Sequence, residues 1–192
     1  MSGELNLTAT LHRQAYQAMP TPQQAYLLLD AMPTAAAPGL GSQALNFGLV
    51  LDRSGSMAGE KLRQLKDAAK LVVDRLNPQD LLSIVIFDEA ADVVVPAVLV
   101  QDSEALKRQI DAIEERGGTK MSAGMQAGLG ELQRGLAPDR VSRMLLLTDG
   151  RTWEDTPQCQ QLADQCRFVG VPLSVLGFAE GDWDPAFLED LA

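Results

Sequence analysis

Four short runs of almost continuous apolar residues do most to limit what this chain can fold into. They lie at 46–51, 81–87, 144–147 and 173–178. A strand with one face in water alternates polar and apolar residues, whereas a short run without that alternation is typical of a strand covered on both faces. The runs therefore predict buried strands of a largely parallel sheet.

Helical patterns fill the segments between these runs. Residues 61–76 carry apolar side chains at spacings of three and four, as an amphipathic helix does: Leu62, Leu65, Ala69, Val72 and Leu76. Ser103 and Ser122 are predicted to cap two further helices, and Thr156-Pro157 and Asp184-Pro185 are predicted to open two more, because these residues favour helix starts. Alternating strands and helices predict an α/β fold with a doubly wound, mostly parallel central sheet and helices on both faces.

Two segments depart from this alternation. Residues 93–95 precede Pro96, and since proline cannot donate to a ladder they predict an edge strand, which we expect to be antiparallel. Residues 1–45 contain two short strand patterns at 5–11 and 24–30 and a connector rich in proline and glycine. We predict a short N-terminal β extension and linker over 1–45 and the main domain over 46–192.

Composition narrows the classes of function. The 192 residues include 46% hydrophobic residues, and 26 acidic against 16 basic residues give a formal net charge of −10. An acidic chain disfavours nucleic-acid binding, and no apolar run reaches the 18 residues typical of a membrane span. The chain start lacks a secretory pattern. Cys159 and Cys166 fall in an apolar helical series and are predicted core residues of a reduced, cytoplasmic protein.

Three loops at strand ends or helix starts carry the candidate chemistry. Ligands bind beyond the carboxyl ends of strands in doubly wound sheets. Residues 52–56 follow the first apolar run, 148–150 follow a later one, and 117–119 precede a helix. Their oxygen donors are Asp52, Ser54, Ser56, Thr119 and Asp149. Two carboxylates and three hydroxyls suit a hard ion, with Mg²⁺ first and Mn²⁺ or Ca²⁺ as alternatives, and do not suit zinc.

Together the motifs Asp-x-Ser-x-Ser, Gly-Gly-Thr and Thr-Asp-Gly resemble the von Willebrand factor A domain, in a bacterial, intracellular form, over residues 45–192. The resemblance implies a metal-ion-dependent adhesion site. Ser54, Ser56 and Thr119 would touch the ion directly. Asp52 and Asp149 would often act through water. The resemblance also implies a non-enzymatic module that binds an Asp or Glu of a partner protein through the ion. Lys120 departs from the family pattern, because many relatives carry Asn or Asp there.

The same resemblance also predicts the kind of partner and indicates that the domain is truncated. Intracellular relatives often serve as adaptor subunits, so an AAA-type ATPase or another complex subunit is the expected partner, by analogy alone. Family members usually continue beyond the position of residue 192. We therefore expect a truncated domain, with the N-terminal strands pairing with a missing C-terminal β region of the full-length chain.

Residues beside the metal loops are predicted to form a partner-binding rim: Arg53, Met57, Lys120, Arg151 and Trp153. Two alternatives to an interaction module remain open. One is metal-assisted phosphoryl transfer or hydrolysis, which the sequence disfavours because Ser54 stands where a second general acid/base Asp would be needed. The other is a structural domain with an empty site, in which Asp and Ser merely cap loops and helices.

Overall fold

A computed structural model describes residues 5–11, 27–33, 43–150, 152, 155–178 and 185–192. The chain divides into two compact units, Met1–Ser42 and Gln43–Ala192. In the first unit, β1 (Leu5–Leu11) pairs antiparallel with β2 (Leu27–Pro33). The predicted boundary between 45 and 46 stays a prediction.

The second unit is a five-stranded α/β domain. Its strands are β3 (Ala44–Asp52), β4 (Leu81–Phe87), β5 (Ala91–Leu99), β6 (Arg140–Thr148) and β7 (Leu173–Gly177). Its helices are α1 (Glu60–Arg75), α2 (Ser103–Asp111), α3 (Met121–Arg134), α4 (Thr156–Phe168) and α5 (Pro185–Leu191), and a 3₁₀ turn spans Gly55–Met57. No helix of the described ranges has the length and apolar character needed to cross a membrane.

Within the described residues the sheet has the order β5-β4-β3-β6-β7, and β4–β5 is its one antiparallel pair. This confirms the predicted doubly wound fold with an antiparallel edge strand. The neighbours of β3 lie on opposite sides of it and are reached by separate connections, so the sheet has its topological switch at β3. The carboxyl end of β3 is thus placed where such folds bind ligands.

Apolar packing on both faces explains why the central strands lack alternation. Val50 packs in a cluster with α3, α4 and α5, whereas its neighbours Leu49 and Leu51 pack in a second cluster with α1 and α2. All three side chains have no exposed surface. Successive side chains of a strand point to opposite faces, so a strand between two helical layers needs apolar residues throughout.

Three predicted helix details are wrong by one or two positions. The helix α1 buries Val73, whereas Val72 is only half-buried. The carboxylate of Asp102 caps α2 by accepting a hydrogen bond from the Ala105 N–H at 2.8 Å, so Ser103 is the first helical residue. Likewise Ser122 lies inside α3, which Lys120 precedes, whereas α4 begins at Thr156-Pro157 as predicted. In α2 the carboxylate takes the capping role that Ser103 was expected to fill.

Both cysteines are buried and free, as predicted for core residues. Burial in the cluster beside α4 raises the pKa of Cys159 to about 12 and that of Cys166 to about 11. Their thiols therefore stay protonated and unreactive at neutral pH.

Two glycines let α3 approach the sheet closely. A Cβ atom at Gly128 would lie 2.5 Å from Val50 Cγ2, and one at Gly124 would lie 2.5 Å from Phe87 Cδ1. Gly130, on the same helix, has no atom within 4 Å of a Cβ position. Only the first two positions therefore require glycine for packing.

This contrast gives a matched stability prediction. Gly128→Ala is expected to lower the free energy of unfolding by about 1–3 kcal/mol, because a buried methyl group overlaps a rigid β-branched neighbour. Gly130→Ala is expected to raise it by up to about 1 kcal/mol through helix propensity. Urea unfolding of the two variants checks both signs, and equal effects would show that α3 does not pack as closely as described.

Candidate metal centre

Asp52 closes β3 with a fully buried carboxylate at the carboxyl edge of the sheet. Its Oδ1 accepts a hydrogen bond from the Ser54 N–H at 2.8 Å, and its Oδ2 accepts one from the Thr148 hydroxyl at 2.6 Å. Burial raises the pKa of Asp52, and these hydrogen bonds oppose the rise only in part. A charged carboxylate at this position would therefore gain from a nearby cation.

The hydroxyl groups of Ser54 and Ser56 lie side by side in the loop after β3. Their Oγ atoms are 3.0 Å apart, and the 3₁₀ turn that begins at Gly55 holds the second serine in place. Adjacent ligands of an octahedral Mg²⁺ with bonds of about 2.1 Å lie about 3.0 Å apart. The hydroxyl spacing thus fits one edge of such an octahedron.

The loop that carries Thr119 is tied to this first loop by backbone hydrogen bonds. Gly55 N–H donates to Gly117 O at 3.0 Å, and Arg116 N–H donates to Arg53 O at 2.8 Å. Gly117 has φ +67°, a left-handed conformation that favours glycine. Thr119 follows two residues later, is half-buried, and lines a recess of about 360 Å³.

The third loop continues from β6 and contacts the first through Thr148. Besides donating to Asp52, the Thr148 hydroxyl accepts a hydrogen bond from Gly150 N–H at 3.0 Å. Asp149 is buried, and its Oδ2 lies 2.9 Å from the ammonium of Lys61 in the first turn of α1. Packing of α1 against this edge therefore places a cation on one of the two candidate metal carboxylates.

The donor set determines which ions suit the site. Within the part of the chain that the structure describes, no group of three or more His, Cys, Asp or Glu side chains is arranged to hold a metal ion. An ion at these loops would therefore depend on hydroxyl oxygens as well as on Asp52 and Asp149. Such oxygen donors fit a hard divalent cation.

The predicted rim is only partly accessible. Lys120 is exposed, and its ammonium forms no ion pair with a carboxylate of the described residues. Arg53 is instead engaged: its guanidinium lies 2.8 Å from Asp88 and 2.9 Å from Asp92, and only 13% of the side chain is exposed. Arg151 and Trp153 lie outside the described residues.

Met57 requires a correction as a rim residue. Its side chain is fully buried in the cluster with α1 and α2. The 3₁₀ turn Gly55–Met57 turns this side chain into the core while Ser56 stays half-buried beside Ser54. Sequence position next to the metal loop was therefore a poor guide to the direction of the side chain.

Sequence reasoning missed three residues that organise the site, Lys61, Asp88 and Asp155. It also gave no role to Thr148, although the Thr-Asp-Gly motif that begins with this residue was recognised. Asp88 follows β4, so the strand-end argument applied to 52–56 would have found it. Asp155 accepts hydrogen bonds from the Ser122 N–H at 2.6 Å and from the Thr152 hydroxyl. Burial alone would raise the pKa of Asp155, but these hydrogen bonds outweigh it and lower the pKa overall. No local motif marked Lys61 or Asp155.

Comparisons with known proteins match this architecture. An uncharacterized protein of Synechocystis is 36% identical over 149 residues, which cover 77% of this chain and 35% of that protein. Human inter-alpha-trypsin inhibitor heavy chain H4 is 30% identical over 168 residues, 82% of this chain and 18% of the relative. The chain thus spans about a third or less of the length of these relatives.

Solved structures share the fold at low sequence identity. Manganese-loaded Plasmodium vivax TRAP protein has a TM-score of 0.68 at 17% identity, covering 78% of this chain and 63% of that one. Proximal thread matrix protein 1 from the mussel byssus, with a zinc-occupied MIDAS motif, has a TM-score of 0.67 at 22% identity, covering 78% and 41%.

The fold and the three loops define an α/β domain in which the loops that carry the candidate oxygen donors are joined by hydrogen bonds at the carboxyl edge of a mostly parallel sheet. The family model of the von Willebrand factor type A domain matches residues 46–192. The chain belongs to that family, as its motifs suggested.

Proposed function

We propose that this domain binds a partner protein through a Mg²⁺ ion held by Ser54, Ser56 and Thr119 together with Asp52 and Asp149. The observation that carries the proposal is the pair of serine hydroxyls 3.0 Å apart beside the buried Asp52 carboxylate. Metal-loaded relatives of the same fold support a divalent ion at these loops. The domain itself is proposed to be non-enzymatic.

The charges of the loops explain why a partner would bind. The proposed site contains two carboxylates, one of which pairs with the Lys61 ammonium, so a divalent ion leaves one net positive charge among these groups. A bound Mg²⁺ commonly keeps positions open to water or to an outside ligand. A carboxylate from Asp or Glu of a partner is therefore the ligand of matching charge, and Lys120 adds a cation at the exposed edge.

The partner proposed from the family analogy is an AAA-type ATPase or another subunit of a complex, and not nucleic acid. We propose the cytoplasm as the location, because two free thiols suit a reducing compartment. The enzymatic alternative gains no support from the site: Ser54 occupies the position two residues after Asp52 and already contacts Ser56.

Calorimetric titration of the EDTA-treated chain with Mg²⁺, Mn²⁺ and Ca²⁺ tests the metal. We expect saturable binding, and its loss in the double variant Ser54→Ala, Ser56→Ala. Ser83→Ala is the matched control, since its buried hydroxyl has no hydrogen-bond partner and lies within β4. Equal metal affinity in all three proteins would refute the serine site.

A test of partner binding uses a display library of nonapeptides with one fixed central Asp, selected on the Mg²⁺-loaded domain and eluted with EDTA. Lys120→Ala is expected to weaken the selected peptides about three- to tenfold, because an exposed cation steers an anionic ligand. The loss should shrink at high salt. Arg75→Ala, which removes an exposed cation at the end of α1, should have no effect.

A further inference from the structure

A groove lined by amide side chains leads away from the proposed metal site between α3 and α4. Its volume is about 390 Å³. We call it the glutamine groove, after Gln126 of α3 and Gln158, Gln161 and Gln165 of α4, which line it. It shares Lys120, Asp155 and Gln158 with the recess beside Thr119. The groove therefore adjoins the recess that Thr119 of the second metal loop lines.

The four glutamines are arranged as a set of free hydrogen-bonding groups. All four are exposed, and none of their side-chain amides forms a hydrogen bond with another described residue. Spacings of three and four residues place Gln158, Gln161 and Gln165 on one face of α4. On α1, by contrast, Arg63 and Lys70 are paired with carboxylates.

Primary amides have the chemistry that matches a peptide backbone. Each offers two N–H donors and one carbonyl acceptor, so it can donate to the C=O and accept from the N–H of one extended residue. The distance along α4 from Gln158 to Gln165 is about 10 Å. That equals about three residues of extended chain. The groove thus offers hydrogen-bonding partners for the backbone of about three residues of an extended segment.

We propose that the glutamine groove binds the extended backbone of a partner segment whose Asp or Glu completes the metal site. This inference rests on the proposed function and adds the path that the partner chain takes. The carboxylate would lie at the Thr119 end beside Lys120, and the residues next to it would run between α3 and α4.

The charge of the groove favours this occupant over others. Asp155, the buried carboxylate of the groove, already accepts hydrogen bonds from Ser122 and Thr152. Lys120 is the cation among its described lining residues. One cation is too few for a nucleic-acid backbone, whose binding needs several Lys or Arg contacts. A neutral extended segment with a single Asp or Glu matches both the uncharged amides of the groove and the cation Lys120 at its end.

The test uses the full chain loaded with Mg²⁺ and the nonapeptides selected on it with a fixed central Asp. The double variant Gln158→Leu, Gln161→Leu is expected to weaken these peptides tenfold or more, since each lost amide bond leaves a peptide group poorly paired. Its Mg²⁺ affinity should not change. Gln160→Leu on α4 and Gln133→Leu on α3 are matched controls, exposed but outside the groove lining; both should stay within twofold of the parent.

Nuclear magnetic resonance adds a direct readout, because side-chain amide signals of Gln126, Gln158, Gln161 and Gln165 should shift on peptide addition. If the double variant binds the peptides as tightly as the parent does, and EDTA still abolishes that binding, the role of the groove is wrong and the proposed function stands. Absence of EDTA-sensitive peptide binding to the parent would overturn both. If Gln160→Leu also loses peptide binding, substitution anywhere on the exposed face of α4 disturbs binding, and the assignment of the peptide to the glutamine groove is wrong.

Discussion

Asp52→Asn is expected to weaken Mg²⁺ binding at least about a hundredfold while the domain stays folded. The change removes one negative charge beside the proposed ion. At about 4 Å and an effective dielectric constant of about 20, a unit charge and a divalent ion attract by about 8 kcal/mol. A hundredfold loss requires only about 2.7 kcal/mol, so the expected loss holds even when most of this attraction is offset by solvation.

The fold should tolerate this change because of the hydrogen bonds around Asp52. An asparagine oxygen still accepts the Ser54 N–H bond, and its amide group can donate to the Thr148 hydroxyl, which now donates to Asp52 at 2.6 Å. Circular dichroism and gel filtration should therefore match the parent. Calorimetric titration with Mg²⁺ measures the loss.

Asp80→Asn is the matched control for a buried carboxylate. Asp80 is 1% exposed and accepts hydrogen bonds from the backbone N–H groups of Leu45 and Asn77, both at 2.7 Å. It precedes β4, at the opposite end of that strand from the metal loops. We expect Asp80→Asn to lower the free energy of unfolding by about 1–3 kcal/mol and to leave Mg²⁺ affinity unchanged. Equal metal affinity in Asp52→Asn and the parent would place the ion elsewhere.

The sheet was predictable from the sequence because a strand that is buried on both faces is encoded by a short, continuous run of apolar residues. The apolar runs at 46–51 and 81–87 fall within β3 and β4, and residues 93–95 fall within the antiparallel edge strand β5. Helix starts were less predictable. Asp102 caps α2 and Lys120 precedes α3, although Ser103 and Ser122 were expected as the caps; α4 does begin at the predicted Thr156-Pro157. Adjacent polar residues compete for the cap, and the local sequence does not decide between them.

The site was predictable to the extent that its motifs are local. Asp52, Ser54 and Ser56 stand within five residues, whereas Lys61 meets Asp149 across 88 residues. That pair depends on how α1 packs against the end of β6, and no short pattern encodes it. Met57 shows the opposite error, since its neighbours in sequence form the site while its own side chain lies in the core. Pairings created by tertiary packing are thus the part that sequence reasoning could not supply.

Asp88 makes contacts of this kind, and they connect the loop of Ser54 and Ser56 with the loop of Thr119. Its side chain is 3% exposed, and its Oδ2 accepts a hydrogen bond from Arg53 Nε at 2.9 Å and lies 2.8 Å from Arg53 Nη2 in an ion pair. Its Oδ1 accepts the Ala90 N–H at 3.1 Å, and its backbone carbonyl accepts the Lys120 N–H at 2.6 Å. Arg53 lies between the metal-loop residues Asp52 and Ser54. One residue therefore fixes the loop of the serines and the loop of Thr119.

Asp88→Ala is expected to lower the free energy of unfolding by about 3 kcal/mol, because it leaves the mostly buried guanidinium of Arg53 with only an exposed partner. Mg²⁺ affinity should also fall about tenfold, since the Asp88 carboxylate pairs with Arg53 of the serine loop at 2.8 Å and with Arg116 of the Thr119 loop at 3.7 Å. The backbone bond from Lys120 N–H to the Asp88 carbonyl remains in the variant. Urea unfolding and calorimetric titration measure the two effects.

Asp92→Ala removes the other carboxylate that pairs with Arg53, one that is 63% exposed. An exposed ion pair contributes at most about 1 kcal/mol, so this variant should stay close to the parent in stability and metal affinity. Equal losses in Asp88→Ala and Asp92→Ala would mean that the charge of the pair matters and the buried anchor does not. A stability loss in Asp88→Ala without any loss of metal affinity would show that the two loops keep their geometry without Asp88. The contrast between the two variants therefore separates anchoring of the metal loops from simple pairing of Arg53.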